Sequence, residues 1–344
     1  MGKNAKAPRS FNTIRRTQTK ERAKRGQMSR VVLLAILGVT ALLLISLLVL
    51  GICAIAHAIA NRPGADNPND LPSTGGFNVR YDEYYTARYE DTQKGPMIIV
   101  NKDHRYELFD YENGNGLIPG KLTLVNMYNN RSTLGGLSPY QVGTSEQMEK
   151  TAFEAFDRMM VDYLDYSGDQ KIAVGLTNAY RTYEEQAGKS AAQGYSDHHT
   201  GYCVALTIPI TGQGISEAQH AWIFNNAHKY GFVMRYPDEK SSITGVDTGY
   251  EYCFRYVGVA HATYIKEHEY CLEEYVEVLK QNHTINNPLR TKGADGHYYD
   301  VYYVPAVTDQ SLLTNFLVPS NYQYTVSGDN CGGFIVTVDL SKKA

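Results

Sequence analysis

An unbroken apolar run from Val31 to Ala60 is the strongest hydrophobic signal in the chain, and His57 is its one ionisable side chain. About twenty apolar residues span a bilayer as a helix, whereas a helix of a globular core usually shows a polar face. The run predicts one transmembrane helix over residues 31–60. A cleaved signal peptide is the alternative, although the apolar region of a signal peptide is usually about 7–15 residues long.

Residues 61–78 are rich in Asn, Pro, Gly and Asp and have no core-forming pattern. Such a composition is typical of a linker, so we expect residues 61–95 to connect the membrane helix to a folded domain. The first predicted ordered element is a short apolar strand, Pro96–Val100.

Beyond residue 143, apolar positions recur at helical and strand spacings in turn. A capping box at Thr144 and Gln147 predicts a helix that ends at Ser167-Gly168. Further helices are predicted over Tyr183–Gln193, from a cap at Ser216 to Gly231, and over residues 260–280. The predicted strands are Ile172–Leu176, Cys203–Ile210, Phe232–Met234, Cys253–Val257, Tyr298–Val304, Tyr322–Val326 and Phe334–Val338. We interpret residues 96–285 as an α+β domain and residues 286–344 as a small β appendage.

The net charge of −3 is a sum of unlike parts. Residues 1–30 carry ten Lys and Arg and one acidic residue, a net charge of +9, so the remaining 314 residues carry −12. A basic flank before a membrane helix stays in the cytoplasm. We therefore expect a single-pass membrane protein with a basic cytoplasmic tail and an extracytoplasmic C-terminal domain. Topology accounts for the basic tail, and we expect no nucleic-acid partner.

Three segments carry the most specific chemistry: residues 178–186 (NAYRTYEEQ), residues 196–205 (SDHHTGYCVA) and residues 222–237, which continue to Phe254–Gly258 (FRYVG). In this order and spacing they resemble the VanY-type D-alanyl-D-alanine carboxypeptidases, which share a zinc peptidase fold with lysostaphin and hedgehog domains. The resemblance implies a small antiparallel sheet with flanking helices over about residues 97–280. It also implies work on peptidoglycan.

The resemblance implies zinc ligands at three positions, a Glu base and an Arg that stabilises the oxyanion. His198, Ser196, Gly201, Arg181 and Gln186 match the family pattern. Ala205 stands at the ligand Asp position, Cys253 at the ligand His position and Tyr250 at the Glu position. Glu251 is one residue away from the base position. Three N or O ligands and a nearby carboxylate are what zinc-water chemistry needs, so the zinc site is degraded.

The cysteines leave several interpretations open. Cys203 and Ala205 share a strand face, so His198, Cys203 and Cys253 form a possible metal set. Alternatively, Cys203 and Cys253 form a cross-strand disulfide or remain two buried thiols. Cys271 and Cys331 are interpreted as structural. His199 and His228 are interpreted as ordinary polar residues.

We expect the protein to be a non-catalytic member of this family that needs no cofactor. It would bind a peptidoglycan stem peptide through Tyr180, Arg181, Gln186 and Ser196, or a cell-wall enzyme. The alternative is an active zinc D,D-carboxypeptidase with His198, Cys253 and Cys203 as ligands and Arg181 and Glu251 as catalytic residues. A third hypothesis is a purely structural wall module whose β appendage makes the contacts.

Overall fold

The structure is a computed structural model, and it describes residues 76–107, 122–168, 172–309 and 311–344. The predicted cytoplasmic tail, the predicted membrane helix and residues 61–75 of the predicted linker lie outside these ranges. Within them, no helix has both the length and the apolar character needed to cross a membrane.

The described residues form a mixed α/β fold with several small sheets. The strands are β1 (Tyr81–Arg88), β2 (Leu124–Asn126), β3 (Gln141–Val142), β4 (Gln147–Glu149), β5 (Ala173–Val174), β6 (Cys203–Ala205), β7 (Phe232–Met234), β8 (Cys253–Tyr256), β9 (Leu289–Lys292), β10 (Tyr298–Pro305), β11 (Leu313–Pro319), β12 (Tyr322–Gly328) and β13 (Gly333–Lys343). The helices are α1 (Met127–Asn130), α2 (Lys150–Ser167), α3 (Glu217–Asn226), α4 (Ser241–Thr244), α5 (Val259–His268) and α6 (Leu272–Asn282).

The sheet that positions the site is antiparallel, with strand order β6-β8-β7. Side chains alternate between the two faces of a strand. Val204 of β6 and Phe254 of β8 pack into the main apolar core with helices α2 and α3. Cys203, Ala205 and Cys253 lie together in a separate cluster. The alternation therefore gives this sheet one face that supports the fold and another that forms the candidate site.

The predicted helix after residue 143 begins later than expected. Residues 147–149 pair with β2 as strand β4, and α2 starts at Lys150. The Glu149 carboxylate, not the predicted box at Thr144, caps this helix by accepting the N–H groups of Thr151 and Ala152. The end at Gly168 agrees with the prediction, because this residue adopts a left-handed φ of 65°.

Two other helix predictions are wrong. Residues 183–193 form turns in which the side chains of Gln186 and Gln193 donate to the carbonyls of Ala191 and Tyr183, in place of helical hydrogen bonds. The predicted helix over residues 260–280 is two helices, α5 and α6. Glu269 breaks it with a φ of 53°. The Glu274 carboxylate then accepts the Cys271 N–H and starts α6.

The predicted strand Pro96–Val100 is buried but is not a strand. Side chains satisfy its backbone: Arg255 donates to the carbonyls of Pro96 and Ile98, both at 3.0 Å. Asn330 donates to the Ile99 carbonyl at 2.8 Å. The apolar run therefore indicated burial correctly, but buried guanidinium and amide groups replace the hydrogen bonds of a neighbouring strand.

Order also begins earlier than the sequence indicated. Residues 81–93 lie within the predicted linker, yet β1 pairs antiparallel with β11 and a 3-10 turn follows at Tyr89–Gln93. Tyr81, Tyr85 and Ala87 provide the reason, because their period-two spacing places them against one aromatic core.

The C-terminal strands form a sheet of order β12-β13-β10-β9. One face, with Val301, Tyr303 and Ile335, shares a core with helices α5 and α6. The other face packs against β1 and β11. The predicted boundary at residues 285 and 286 thus falls between elements that share one apolar core.

Gly231, directly before β7, lies close to the chain that follows β8. Its φ is +85°, and an added Cβ would lie 3.0 Å from the backbone of Gly258. We expect Gly231→Ala to lower the free energy of unfolding by about 2–3 kcal/mol, measured by urea denaturation. Gly212→Ala is the matched control, because its φ is +68° but nothing lies within 4 Å of the added Cβ. Equal losses in the two variants would contradict this close approach.

Candidate functional site

His198 lies in a short 3-10 turn, Asp197–Thr200, directly before β6. The Ser196 hydroxyl accepts the His198 N–H at 3.4 Å, and Gly201 ends the turn with a φ of 74°. The imidazole Nδ1 donates to the Ala179 carbonyl at 2.8 Å. Burial, followed by the nearby Arg181 charge, lowers the pKa of His198 to about 3. The ring is therefore neutral at physiological pH, and its Nε2 carries a lone pair.

Two of the positions predicted from the motifs to be ligand positions lie opposite each other on neighbouring strands. Ala205 of β6 is the direct register partner of Cys253 of β8, and Cys203 lies two residues from Ala205 on the same face. The partly buried aromatic side chains of Tyr236, Tyr250 and Tyr252 pack against these residues. The fold thus brings together the positions that the family pattern assigns to an Asp and a His ligand, and here they hold a methyl group and a thiol.

Cys203, Cys253, Cys271 and Cys331 are all present as free thiols. Burial raises the pKa of Cys253 to about 12, with a further contribution from the negative charge of Asp197. The same two causes raise the pKa of Cys203 well above its usual value. Both thiols are therefore protonated at physiological pH, whereas metal coordination needs the thiolate.

Across the described ranges, no three His, Cys, Asp or Glu residues are grouped so that they could hold a metal ion. The set of His198, Cys203 and Cys253 is not such a group. The ligands considered from the sequence therefore share one region without forming a coordination site.

Arg181 is buried, with 8% of its surface exposed, and lies beside this region. Its guanidinium donates to the Gln186 side chain at 2.6 Å and to the Thr177 carbonyl at 3.0 Å. Burial lowers its pKa, and attraction to the carboxylates of Glu146 and Glu185 opposes that shift. Tyr180 is partly buried and donates its backbone N–H to the Gln147 carbonyl. Of the predicted binding residues, Arg181 and Gln186 are thus in direct contact.

Glu251 has different surroundings. Burial raises its pKa, and the charges that act on it belong to Asp238, Glu239 and Glu217. The charges that act on Cys253 belong to Asp197, Arg181 and Arg235. The Glu251 carboxylate therefore lies near other acidic groups, which raise its pKa further.

A buried charge network supports the site, and sequence reasoning missed it. The Asp197 carboxylate accepts Arg235 at 2.6 Å and also accepts Arg255. Arg235 donates with its two terminal nitrogens to Glu273, at 2.9 and 2.8 Å. Asp197 directly precedes His198, so this network fixes the turn that carries the imidazole. Its sequence signal was an acid beside a motif histidine, an Arg directly after one apolar strand segment and an Arg inside another.

His199 belongs to the framework. Its Nδ1 donates to the Arg181 carbonyl at 2.8 Å, and its Nε2 accepts the Gly194 N–H at 3.1 Å. Burial lowers its pKa to about 4, so both ring nitrogens serve these two contacts at neutral pH.

Two surface cavities lie away from this region. One of about 340 Å³ is lined by residues of β2, α1 and α2. Another of about 610 Å³ is lined by residues 88–93, Glu107 and residues 311–313. Neither is lined by His198, Arg181 or the thiols, so the candidate site is not one of these two cavities.

Comparisons with known proteins find relatives in one family of peptidases. A sequence model of the family described as VanY, D-alanyl-D-alanine carboxypeptidase, matches residues 145–259. A D-alanyl-D-alanine carboxypeptidase of Enterococcus faecium is 27% identical over 316 residues, which cover 86% of this chain and 94% of that protein. One of Enterococcus faecalis (strain ATCC 700802 / V583) is 33% identical over 118 residues, which cover 33% of this chain and 42% of that protein.

A solved structure gives the fold. The vancomycin resistance D,D-dipeptidase VanXYg, in complex with a D-Ala-D-Ala phosphinate analogue, superposes with a TM-score of 0.58 and 23% sequence identity. The match covers 75% of this chain and 98% of that chain. The resemblance inferred from the three motif segments is confirmed: the chain contains a domain of the VanY D-alanyl-D-alanine carboxypeptidase family.

Proposed function

We propose that this protein is a membrane-anchored, extracytoplasmic member of the family that binds the D-Ala-D-Ala end of a peptidoglycan stem peptide without hydrolysing it. One observation carries the proposal. Ala205 and Cys253 are direct partners across β6 and β8, at the positions where the family pattern has an Asp and a His ligand. A methyl group has no lone pair, so one of the three zinc ligands is missing.

The remaining groups do not fit a zinc site. The Cys253 thiol, with a pKa of about 12, would have to lose its proton in an apolar cluster before it could bind a metal. Glu251 is one residue away from the position of the Glu base in the family pattern, and a shift of one residue changes the direction in which a side chain points. We therefore derive no hydrolytic step for this chain.

Arg181 supports the binding half of the proposal. Its guanidinium is buried, and its hydrogen bonds run to the neutral oxygens of Thr177 and Gln186. Glu146 contributes an attraction that acts at longer range. A guanidinium in this setting gains from a carboxylate partner, and the D-Ala end of a stem peptide is a carboxylate.

The anchoring half of the proposal rests on the sequence. The apolar run of residues 31–60 is long enough to span a bilayer, and the tail of residues 1–30, with a net charge of +9, directs the N-terminus to the cytoplasm. The VanY-type domain would then face the cell wall, where the stem peptide occurs.

A second candidate function is zinc D,D-carboxypeptidase activity with atypical ligands, His198, Cys253 and Cys203, and Glu251 as base. One observation favours it. The Nδ1 of His198 donates to the Ala179 carbonyl, which leaves Nε2 unprotonated, as in a histidine that ligates a metal.

The test uses the full chain in detergent and a pentapeptide that ends in D-Ala-D-Ala. We expect calorimetry to detect binding, with no release of D-Ala with or without added zinc. Arg181→Gln is expected to weaken binding by about 10- to 100-fold, the value of a charge-assisted hydrogen bond. Arg158→Gln, on an exposed position of α2, is the matched control and should leave binding unchanged.

Absence of binding by the wild-type chain would overturn the proposal. Release of D-Ala that a chelator abolishes would establish the second candidate function instead. Ala205→Asp combined with Cys253→His restores two ligands. If this variant gains zinc by elemental analysis and the wild-type chain holds none, the missing donors are the reason for inactivity.

A further inference from the structure

One end of the C-terminal sheet carries three exposed cations, Arg80, Lys292 and Lys343. Lys292 ends β9 and Lys343 ends β13, while their register partners Tyr298 and Tyr322 begin β10 and β12. Arg80 directly precedes β1, and its backbone N–H donates to the Asn321 side chain at 3.0 Å. We call these three residues the basic sheet end.

Aromatic rings hold two of these cations in place. The Lys343 ammonium lies 3.6 Å from the centroid of the Tyr322 ring, and the Lys292 ammonium lies 5.5 Å from that of Tyr298. Phe77 connects the two rings, with centroid distances of 5.7 Å to Tyr298 and 6.5 Å to Tyr322. Contacts between cations and aromatic faces are attractive, so the rings hold the two ammonium groups at this end of the sheet.

Several ionic groups near this sheet end are paired with one another. Arg290 donates to both oxygens of Asp300, and Asp339 accepts Lys342 and His297, each at 3.1 Å. Asp295, in the turn between β9 and β10, accepts the Tyr299 hydroxyl at 2.6 Å. Among the residues that the structure describes, no carboxylate lies within ion-pair distance of Arg80, Lys292 or Lys343. This sheet end therefore carries three cations that make no ion pair, although residues 31–344 carry a net charge of −12.

The chain enters the folded domain at this same edge. The Asn321 side chain donates to the Asn78 carbonyl at 2.6 Å, next to its contact with Arg80. Fifteen residues, 61–75, separate the predicted membrane helix from Gly76. A chain of fifteen residues spans at most about 50 Å. If residues 31–60 anchor the chain as proposed, this length limits how far the basic sheet end can lie from the bilayer.

We propose that the basic sheet end docks on anionic phospholipid headgroups and so fixes how the domain stands on the membrane. The inference rests on the proposed membrane anchoring and is independent of peptide binding. The three cations supply the attraction, which acts over a Debye length of about 10 Å at 0.1 M salt. The Tyr rings already limit the motion of the two lysines, so the lysines lose less side-chain entropy when they bind a surface.

The experiment places the full chain in lipid nanodiscs and follows acetylation of each lysine by mass spectrometry. One disc contains phosphatidylcholine alone, and the other contains about 30% phosphatidylglycerol. We expect Lys292 and Lys343 to react about threefold or more slowly in the anionic disc, and about 1 M salt to remove the difference. Lys189 and Lys229, which are exposed on turns of the family domain, are the internal controls and should react equally in both discs.

Arg80→Glu keeps both reporter lysines and should abolish most of their protection. Arg158→Glu reverses an exposed charge on α2 and should leave the protection intact. Equal acetylation of Lys292 and Lys343 in the two discs would overturn the docking proposal. Failure of the chain to enter discs of either kind would overturn the anchoring on which the docking rests. Neither result touches peptide binding, which is measured in detergent.

Discussion

Replacement of Asp197 by Asn is expected to lower the free energy of unfolding by about 3–5 kcal/mol. The side chains of Arg235 and Arg255 are 0% exposed, and that of Asp197 is 1% exposed between them. Removal of the carboxylate charge leaves Arg255 buried without an anionic partner and leaves Arg235 with Glu273 alone. A buried charge that loses its partner keeps its full desolvation penalty, which explains the size of the expected loss.

Urea denaturation of the full chain in detergent measures this effect. Asp103→Asn is the matched control, because its ion pair with Lys102 lies at the surface, where such pairs contribute about 0–1 kcal/mol. A loss below about 1 kcal/mol for Asp197→Asn would contradict a central role for the network. Because Asp197 holds the turn that carries His198, we also expect Asp197→Asn to bind the peptide more weakly than the wild-type chain under conditions in which both are folded.

Acidification is expected to destabilise the folded domain between about pH 6.5 and pH 4. Burial lowers the pKa of His261 to about 4, and His199 has a similarly lowered pKa of about 4. In the unfolded chain these imidazoles titrate near 6.5, so the unfolded state binds more protons in this window. The free energy of unfolding therefore falls as the pH falls through it, and the penalty is absent above pH 6.5.

His261 is the cleaner reporter of the two. Its Nδ1 pairs with the Tyr275 hydroxyl and its Nε2 with the Thr337 hydroxyl, both at 2.8 Å, so it joins helix α5 to α6 and β13. Moving from pH 7 to pH 4.5 should remove about 2–3 kcal/mol of stability through this residue alone. The measurement is the urea midpoint as a function of pH.

His261→Gln removes the titrating group and should flatten that pH dependence by about 2–3 kcal/mol. Tyr275→Phe removes one hydrogen bond but keeps the buried imidazole, so its stability should be lower at every pH with the slope retained. An unchanged slope in His261→Gln would show that other groups account for acid unfolding.

Local patterns predicted some elements well because their signals are local. The strand Phe232–Met234 appears with the expected bounds, and Gly168 and Gly231 end their helical segments in left-handed conformations. The family motifs located His198, Arg181 and Gln186, because motif spacing reflects a shared fold. Other predictions were wrong because contacts with distant residues determine the local structure. Pro96–Val100 is not a strand, because side chains such as Arg255, more than 150 positions away in sequence, bind its backbone carbonyls.

The candidate site divides in the same way. The sequence alone was enough to predict that Ala205 and Cys253 stand at ligand positions of the family, because that prediction depends on residue identity and motif spacing. It could not determine that Glu251 lies among Asp238, Glu239 and Glu217, since the direction of a side chain depends on the loop that packs beside it. Nor could it show that Cys253 is held as a protonated thiol, because a pKa depends on burial and on charges from several elements.

The sequence by itself thus identified the family domain and the unequal distribution of charge along the chain, and it predicted the loss of ligand donors. Only the tertiary structure decided that Asp197, next to His198, pairs with two buried arginines. It also decided that Arg80, Lys292 and Lys343 lie at one end of a sheet. The physical reason is that motifs and charges are properties of the residues themselves, whereas burial, pairing and shared edges depend on which distant segments pack together.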